Sequence, residues 1–238
     1  MSKELVNSVL AECQVNTVFS QNAKMRKSSQ NDIHLYNWGI PAYKSNTGVI
    51  TCPNASKCIS GCYAKSGAYL FSNVAKAYES RLKLTQHVEF KTVIKYHIDK
   101  LLKKHKTGQV LIRIHDSGDF YSPEYLEAWC SIARQYHNET RLKFYAYTKM
   151  VQLCKDHANI PNNLILIYSF GGRQDELINV NVDRHSFVFE TVEHLELMGY
   201  SNASQDDTIA LGVNNKIGLV YHGTKLYSNT TWNRVGKK

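Results

Sequence analysis

Three cysteines, Cys52, Cys58 and Cys62, fall within eleven residues of a 238-residue chain, while Cys13, Cys130 and Cys154 are scattered. The stretch Thr51-Cys-Pro-Asn-Ala-Ser-Lys-Cys-Ile-Ser-Gly-Cys-Tyr-Ala64 has the spacing C-x5-C-x3-C, and its proline and glycine let the backbone wrap. Thiols crowded on one short loop can converge on one inorganic centre, and in a reducing compartment they read as a metal or redox site before they read as disulfides. A structural zinc normally takes four protein ligands, supplied as two closely spaced pairs. Here there are three cysteines, with no histidine nearby to complete a set. A cubane held by three cysteines leaves one iron open, which is what a chelating ligand needs. The residue types therefore favour iron over structural zinc. Zinc with a remote ligand such as His34 or His115 is the competing arrangement, and burial of a thiol as a small hydrophobe is the bland one. Cys13, Cys130 and Cys154 sit in helical patterns and read as core thiols.

A second group, His115-Asp-Ser-Gly-Asp-Phe120, directly follows the apolar run Val110–Ile114. It is too polar to continue a buried strand and too close to the next helix to be a long loop. It should lie at the edge of a sheet, where His115, Asp116 and Asp119 become candidate catalytic groups. Gly118 lets backbone approach a ligand, and Asp119 can accept from an ammonium group. Aspartates also cap turns very often. Tyr147 ends another run at the same edge and is a candidate lining residue. Ser169-Phe-Gly-Gly-Arg173 follows a third run and could bring backbone N–H groups toward an anion, although a glycine pair there also suits a simple turn.

The elements that must position these groups alternate. Residues 1–19 have helical spacing at Leu5, Val9, Leu10 and Cys13; residues 20–31 are polar, basic and without period, which suggests a flexible linker or an edge-covering loop. Gly48-Val-Ile-Thr51 reads as a short strand running into the first cysteine. A helical pattern from Ser72 to Leu101 is long enough to require a break near Gln86–Glu89. Runs at 110–114, 142–147, 164–168, 186–189, 208–211 and 218–221 read as buried strands. Ser122-Pro-Glu starts a helix whose apolar stripe is Tyr125, Trp129, Ile132 and Tyr136, and short helices fit at 149–158 and 191–199. The pattern implies an α/β fold, a partial (β/α) barrel of about six mostly parallel strands, with the site at the strand C-termini. Residues 1–31 form an N-terminal helix and basic linker ahead of a single α/β domain at 32–238.

The formal charge is +9 with a pI of about 9.2, which favours acidic partners, nucleic acid being the commonest. Much of that charge lies in Lys24-Met-Arg-Lys27 and Lys103-Lys-His-Lys106. No apolar run is long enough to span a bilayer, and the N-terminus lacks a secretory signal, so the expectation is a cytoplasmic protein without a membrane partner.

Trp38-Gly-Ile-Pro41, the Thr51-Cys-Pro loop with Cys58 and Cys62-Tyr-Ala-Lys-Ser-Gly67, Asn73-Val through Glu79 and Arg81, and His115-Asp-Ser-Gly-Asp-Phe-Tyr-Ser-Pro-Glu-Tyr125 together resemble the phage gene-product-eighty-eight domain family, over roughly residues 35–190. That arrangement is in turn similar to radical S-adenosylmethionine (SAM) enzymes. The likeness implies that Cys52, Cys58 and Cys62 hold a [4Fe-4S] cluster with SAM on its open iron. It also implies that Ser117, Gly118 and Asp119 contact SAM; Tyr63, Tyr147 and Ser169 are, independently of the likeness, further candidate cofactor-binding positions. The cysteine spacing departs from the usual C-x3-C-x2-C of radical SAM enzymes, and the aromatic residue follows the last cysteine instead of preceding it. Residues 155–238 contain no cysteine, so no auxiliary cluster is expected. A phage origin would place the protein in the host cytoplasm. A cluster- or zinc-bearing protein that binds nucleic acid or a host factor without SAM chemistry is the alternative function.

Overall fold

The computed structural model describes residues 2–30 and 32–221. In chain order the elements are α1 (Lys3–Cys13), α2 (Ala23–Ser28), β1 (Ile33–Trp38), α3 (Ser72–Thr85), α4 (Phe90–Lys104), β2 (Gln109–Ile114), α5 (Pro123–Gln135), β3 (Leu142–Thr148), α6 (Val151–Asp156), β4 (Leu164–Ser169), β5 (His185–Phe189), α7 (Val192–Leu197), β6 (Ser201–Asn202) and β7 (Lys216–Val220). Seven strands form one sheet in the order β1-β2-β3-β4-β5-β7-β6, and every pairing is parallel. The sheet is curled into a half-barrel, the partial barrel expected from alternating strands and helices.

The two faces of the sheet follow from side-chain alternation along each strand. Tyr36, Trp38, Val110, Ile112, Ile114, Phe144 and Ala146 join residues of α1, α3, α4, α5 and α6 in the larger core. Leu35, Leu111, Tyr145, Ile167 and Ile217 point to the opposite, inner face and pack with Met25, Ala203 and Ala210. Burying a side chain such as Trp129 or Phe144, both fully buried, is worth about 2–3 kcal/mol relative to exposure. Most of the driving force for folding therefore lies on the helix-covered face, which holds the larger set of such residues. The inner face carries polar groups as well.

Several expectations hold locally. The long helical pattern breaks between Thr85 and Phe90, at the four residues expected. Ser122 caps α5 by accepting from the Tyr125 N–H at 3.2 Å, with Pro123 at the first helical position. α3 begins at Ser72 itself, with Phe71 in the cap position and no side-chain cap.

Other expectations need correction. Residues 20–30 are not a flexible linker; they cover the sheet edge at β1, the other arrangement expected. Asn22 caps α2 by accepting from the Met25 N–H at 2.8 Å, Met25 is wholly buried under the inner face, and Ser20 pairs with Asn37. One buried methionine in a six-residue basic helix leaves no periodicity to read. Gly48–Thr51 is not a sheet strand: Lys44 and Ile50 form an isolated antiparallel bridge, closing a tight turn with Gly48 at φ +91. The strand before the cysteines is β1, whose residues alternate between the outer and inner faces as the pleat requires. Residues 208–211 form part of a 3-10 turn, Asp207–Leu211, instead of a strand. Asp206 accepts from the Thr208 N–H at 2.9 Å, and Arg184 donates to the carbonyls of Ala210 at 2.9 Å and Gly212 at 2.7 Å, so backbone groups that would enter a ladder are taken. The expectation for residues 222–238 lies outside the described residues.

Candidate functional site

The cysteine loop follows β1 and the His115–Phe120 loop follows β2, so parallel pairing of these strands brings both to the same edge of the sheet. They interlock through small residues. The Ile40 N–H donates to the Ser117 carbonyl at 3.0 Å, and the Asp119 N–H donates to the Thr51 carbonyl at 2.9 Å. Gly118 sits at φ +84, and a Cβ there would stand 2.2 Å from Ile40 Cγ1. A Cβ on Gly39 would stand 2.0 Å from Asp116 Oδ1. Both glycines are required by contact, and at Gly118 the backbone conformation adds a second reason.

The cysteine loop is pinned from the end of one further strand, β4. The Cys58 N–H donates to the Gly171 carbonyl after β4 at 3.2 Å, Ala55 bridges Gly172, and the Arg173 N–H donates to the Asn54 carbonyl at 2.8 Å. All three cysteines are half-buried. The Tyr43 N–H donates to Cys52 Sγ at 3.3 Å. Burial pushes the Cys52 thiol up to about 12, the Asp119 charge adds to this, and the Tyr43 N–H opposes it; the charges of Cys62 and Cys58 also reach it. Burial likewise raises Cys62, while Lys149 and Lys65 pull it down. Such thiols stay protonated near neutrality unless a cation takes the proton's place.

The polar loop after β2 splits in two directions. His115 adopts φ +68, which is costly for a residue with a Cβ, and its N–H and that of Asp116 both donate to the Trp38 carbonyl, at 2.9 and 3.1 Å. The twist sends the His115 ring to the helix-covered face, 3% exposed, with Nε2 3.1 Å from the Tyr125 hydroxyl and the ring edge-on to Phe120 at 4.7 Å. The Tyr125 hydroxyl also accepts from Trp38 Nε1 at 2.9 Å. Burial, with Arg113 second, lowers His115 to about 3, so the ring is neutral.

Asp116 turns the other way. Its Oδ2 accepts from Asn37 Nδ2 at 2.6 Å and Tyr78 at 2.7 Å, its Oδ1 has no hydrogen-bond partner, and its carbonyl accepts from the Tyr63 hydroxyl. Burial raises its pKa against the opposing Tyr78 hydrogen bond and the charges of Arg113 and Arg81. Asp119 braces the edge: Oδ1 accepts from the Phe120 N–H at 2.8 Å and Thr148 Oγ1 at 2.6 Å, and Oδ2 from the Lys149 N–H at 2.8 Å. The structure thus places Asp116 and Asp119 at the edge of the sheet and separates His115 from them.

Tyr63, beside Cys62, is 55% exposed, yet its hydroxyl end reaches inward to Asp116, and burial of that end pushes it up to about 12. Its ring meets Tyr69 edge-on at 5.6 Å, and Tyr69 meets Tyr78 at 5.6 Å. Tyr147 lies on the inner face with the Arg113 guanidinium 4.8 Å from its ring centroid, and its buried hydroxyl has no partner. Ser169 Oγ accepts from Lys149 Nζ at 2.8 Å, and the same ammonium donates to the carbonyls of Ser169 and Phe170.

Sequence reasoning missed the groups that support these residues. Arg113, inside an apolar strand run, was itself a signal. Its Nη1 donates to Asp207 at 3.1 Å, and Asp207, fully buried, also accepts from Tyr145 at 2.9 Å and pairs with Lys24 at 2.5 Å. Burial works against the Asp207 charge, but Arg113 and Lys24 hold its carboxyl below the usual carboxylate range. Nothing local marks Asp207, which lies 94 residues from Arg113. Cys13, Cys130 and Cys154 are buried, as core thiols should be.

Among the described residues, the ligand atoms of Glu127, Cys130 and His157 lie within 4.8 Å of one another, beside a cleft of about 450 Å³ on the helical face. Glu127 there already accepts from Arg134 and from His157 Nε2, the latter at 2.9 Å. His157 Nδ1 accepts from the Asn159 N–H, which leaves the ring proton on Nε2. The cluster is satisfied as a hydrogen-bonded ion pair.

No helix among the described residues is long and apolar enough to cross a membrane. No curated protein and no solved structure matches the chain. A family model described as Gene product 88 matches residues 15–232, from just after α1 to beyond β7, and takes in both interlocked loops. The chain belongs to the phage Gene product 88 family.

Proposed function

We propose that the protein is an iron–sulfur enzyme of the radical SAM type, with Cys52, Cys58 and Cys62 as ligands of a [4Fe-4S] cluster. The observation that carries this reading is the convergence of a three-cysteine loop after β1 with a Ser117-Gly118-Asp119 loop after the adjacent β2, on one edge of a parallel half-barrel. The donor set fits the group. Three half-buried thiols stand on one short loop, and no histidine or further cysteine in that loop closes the coordination sphere. Cys52, Cys58 and Cys62 would hold such a cluster, and when bound it would supply the single electron that reductive SAM chemistry requires.

The chain's own residues then have distinct tasks. Asp119 ties the β2 loop to β3 and holds Ser117 and Gly118 in place for a ligand's amino group. Tyr63 closes the cysteine loop onto Asp116. Tyr147 and Ser169 offer hydroxyls at the same edge, and Arg113 gives the inner face a positive charge toward a carboxylate or phosphate. Asp116 is positioned as the group that could exchange a proton with substrate, since burial already favours its protonated form. The compartment we propose is the host cytoplasm.

The test is anaerobic purification and reconstitution. About four irons and matching sulfide per chain, as a cubane requires, with 5′-deoxyadenosine released on adding dithionite and SAM, are expected. Loss of both in Cys52→Ser, Cys58→Ser and Cys62→Ser variants is expected as well. A colourless protein that holds only zinc would end the reading. The +9 charge favours a second reading, in which the protein holds nucleic acid without SAM turnover; salt-dependent binding together with an iron-loaded but inactive protein would select it.

A further inference from the structure

The loop that carries the cysteines has a one-sided charge. From residue 33 to residue 78 there is no aspartate or glutamate, while lysines stand at 44, 57, 65 and 76. Lys44, Lys57 and Lys65 are exposed. Arg173 is exposed too, and it is fixed over the same loop by its backbone bond to Asn54 and by Nε, 3.4 Å from the Ala55 carbonyl. The neighbouring acids are engaged: Glu79 accepts from the Asn46 N–H at 2.7 Å, and Asp175 from the N–H groups of Gly171 and Gly172.

Flat apolar faces accompany these cations. Phe71 is 63% exposed and Tyr43 36%, and the Lys65 ammonium lies 5.9 Å from the Tyr43 ring centroid. An acidic peptide would satisfy the lysines but has no need of open rings. A duplex would offer phosphates but keeps its base faces stacked. A single strand offers both, phosphate to cation and base to ring.

We infer that the rim of the cysteine loop binds single-stranded nucleic acid, with Lys44, Lys57, Lys65 and Arg173 on phosphates and Tyr43 and Phe71 stacking on bases. The strand would lie across the mouth of the half-barrel and present one nucleotide to the inner face. This names a substrate class for the site proposed above and rests on that reading for its chemistry, though not for the binding itself.

The experiment measures fluorescence anisotropy of labelled oligothymidylate and oligouridylate of about 15 nucleotides, the upper range of a single-strand site, against salt. Wild-type protein is compared with Lys57→Gln/Lys65→Gln, with Phe71→Ala, and with Lys100→Gln/Lys103→Gln. The last pair removes the same charge from exposed positions near the end of α4, which leads into the start of β2 and so lies at the opposite rim. Removing two phosphate contacts should lower the slope of log K against log salt by about 1.4, at about 0.7 per contact for single strands. Phe71→Ala should weaken binding about tenfold, the effect of one lost base stack. The α4 pair should leave the slope unchanged. Equal loss in the α4 pair, equal affinity for duplex, or equal affinity for a polyglutamate peptide would overturn the inference, as would no binding at low salt. Iron content and 5′-deoxyadenosine release are read on the same preparations. Rim binding without either sinks the radical reading and leaves this one standing, and turnover without rim binding does the reverse.

Discussion

The hydroxyl of Tyr63, the residue after the last loop cysteine, donates to the backbone carbonyl of Asp116 in the loop after β2. A side chain that reaches from one functional loop to the backbone of the other makes the position of the cysteines depend on the β2 edge. Tyr63→Phe removes this hydrogen bond, worth about 1 kcal/mol. Amide hydrogen exchange over residues 58–66 should quicken about fivefold, with β2 unchanged; unchanged exchange in the loop would show that the contact does not hold it.

Gly39 and Gly48 separate two reasons for glycine. A Cβ at Gly39 meets Asp116 Oδ1 at 2.0 Å and Tyr78 Cε1 at 2.5 Å, whereas Gly48 has open space around it and φ +91. Gly39→Ala should cost about 3 kcal/mol through overpacking, and Gly48→Ala about 1 kcal/mol through backbone strain. Urea midpoints of the two variants check the order.

His115 makes folding sensitive to acid. Its folded pKa is lowered to about 3, chiefly by burial. The stability this contributes is therefore complete above the unfolded value of about 6.5 and is lost as pH falls from there toward 3, at about 1.4 kcal/mol per unit. At pH 5 the loss should be about 2 kcal/mol. A His115→Gln variant, less stable at pH 7, should show a flatter profile between pH 6.5 and 5 in denaturant titrations, and an equal slope would remove His115 as the cause.

Asp207 is the counter-charge shared by two cations, Arg113 and Lys24, in a buried place. With Arg113 and Lys24 left unpaired, Asp207→Leu should destabilise by about 3–5 kcal/mol. Adding Arg113→Leu should recover part of that loss, which a double-mutant cycle measures. No coupling would mean that the pair is not a unit.

The thiols report on metal. With Cys52 pushed up to about 12, metal-free protein should alkylate there roughly a thousandfold more slowly at pH 8 than an exposed cysteine of pKa about 8.5. Mass spectrometry after timed iodoacetamide treatment checks this; rapid labelling of Cys52 in folded, metal-free protein would show that its thiol is not buried.

What the sequence determined alone is the set of local signals. The C-x5-C-x3-C loop, the Ser122-Pro123 helix start, the break after Thr85 and the parallel α/β alternation all arise from residues close together in the chain, where turn chemistry and side-chain period act directly. Tertiary structure decided the rest. The sequence places His115, Asp116 and Asp119 together, but the left-handed twist at His115 sends its ring to the helical core, and Asp119 is drawn into bonds with Thr148 and Lys149. Asp207 and Lys24 belong to the inner face only because Arg113, far away in sequence, needs a buried counter-charge there. Local patterns fix how each segment bends. Which side chains then share a buried space depends on strand pairing, and burial of unpaired charge is costly enough to make that pairing selective.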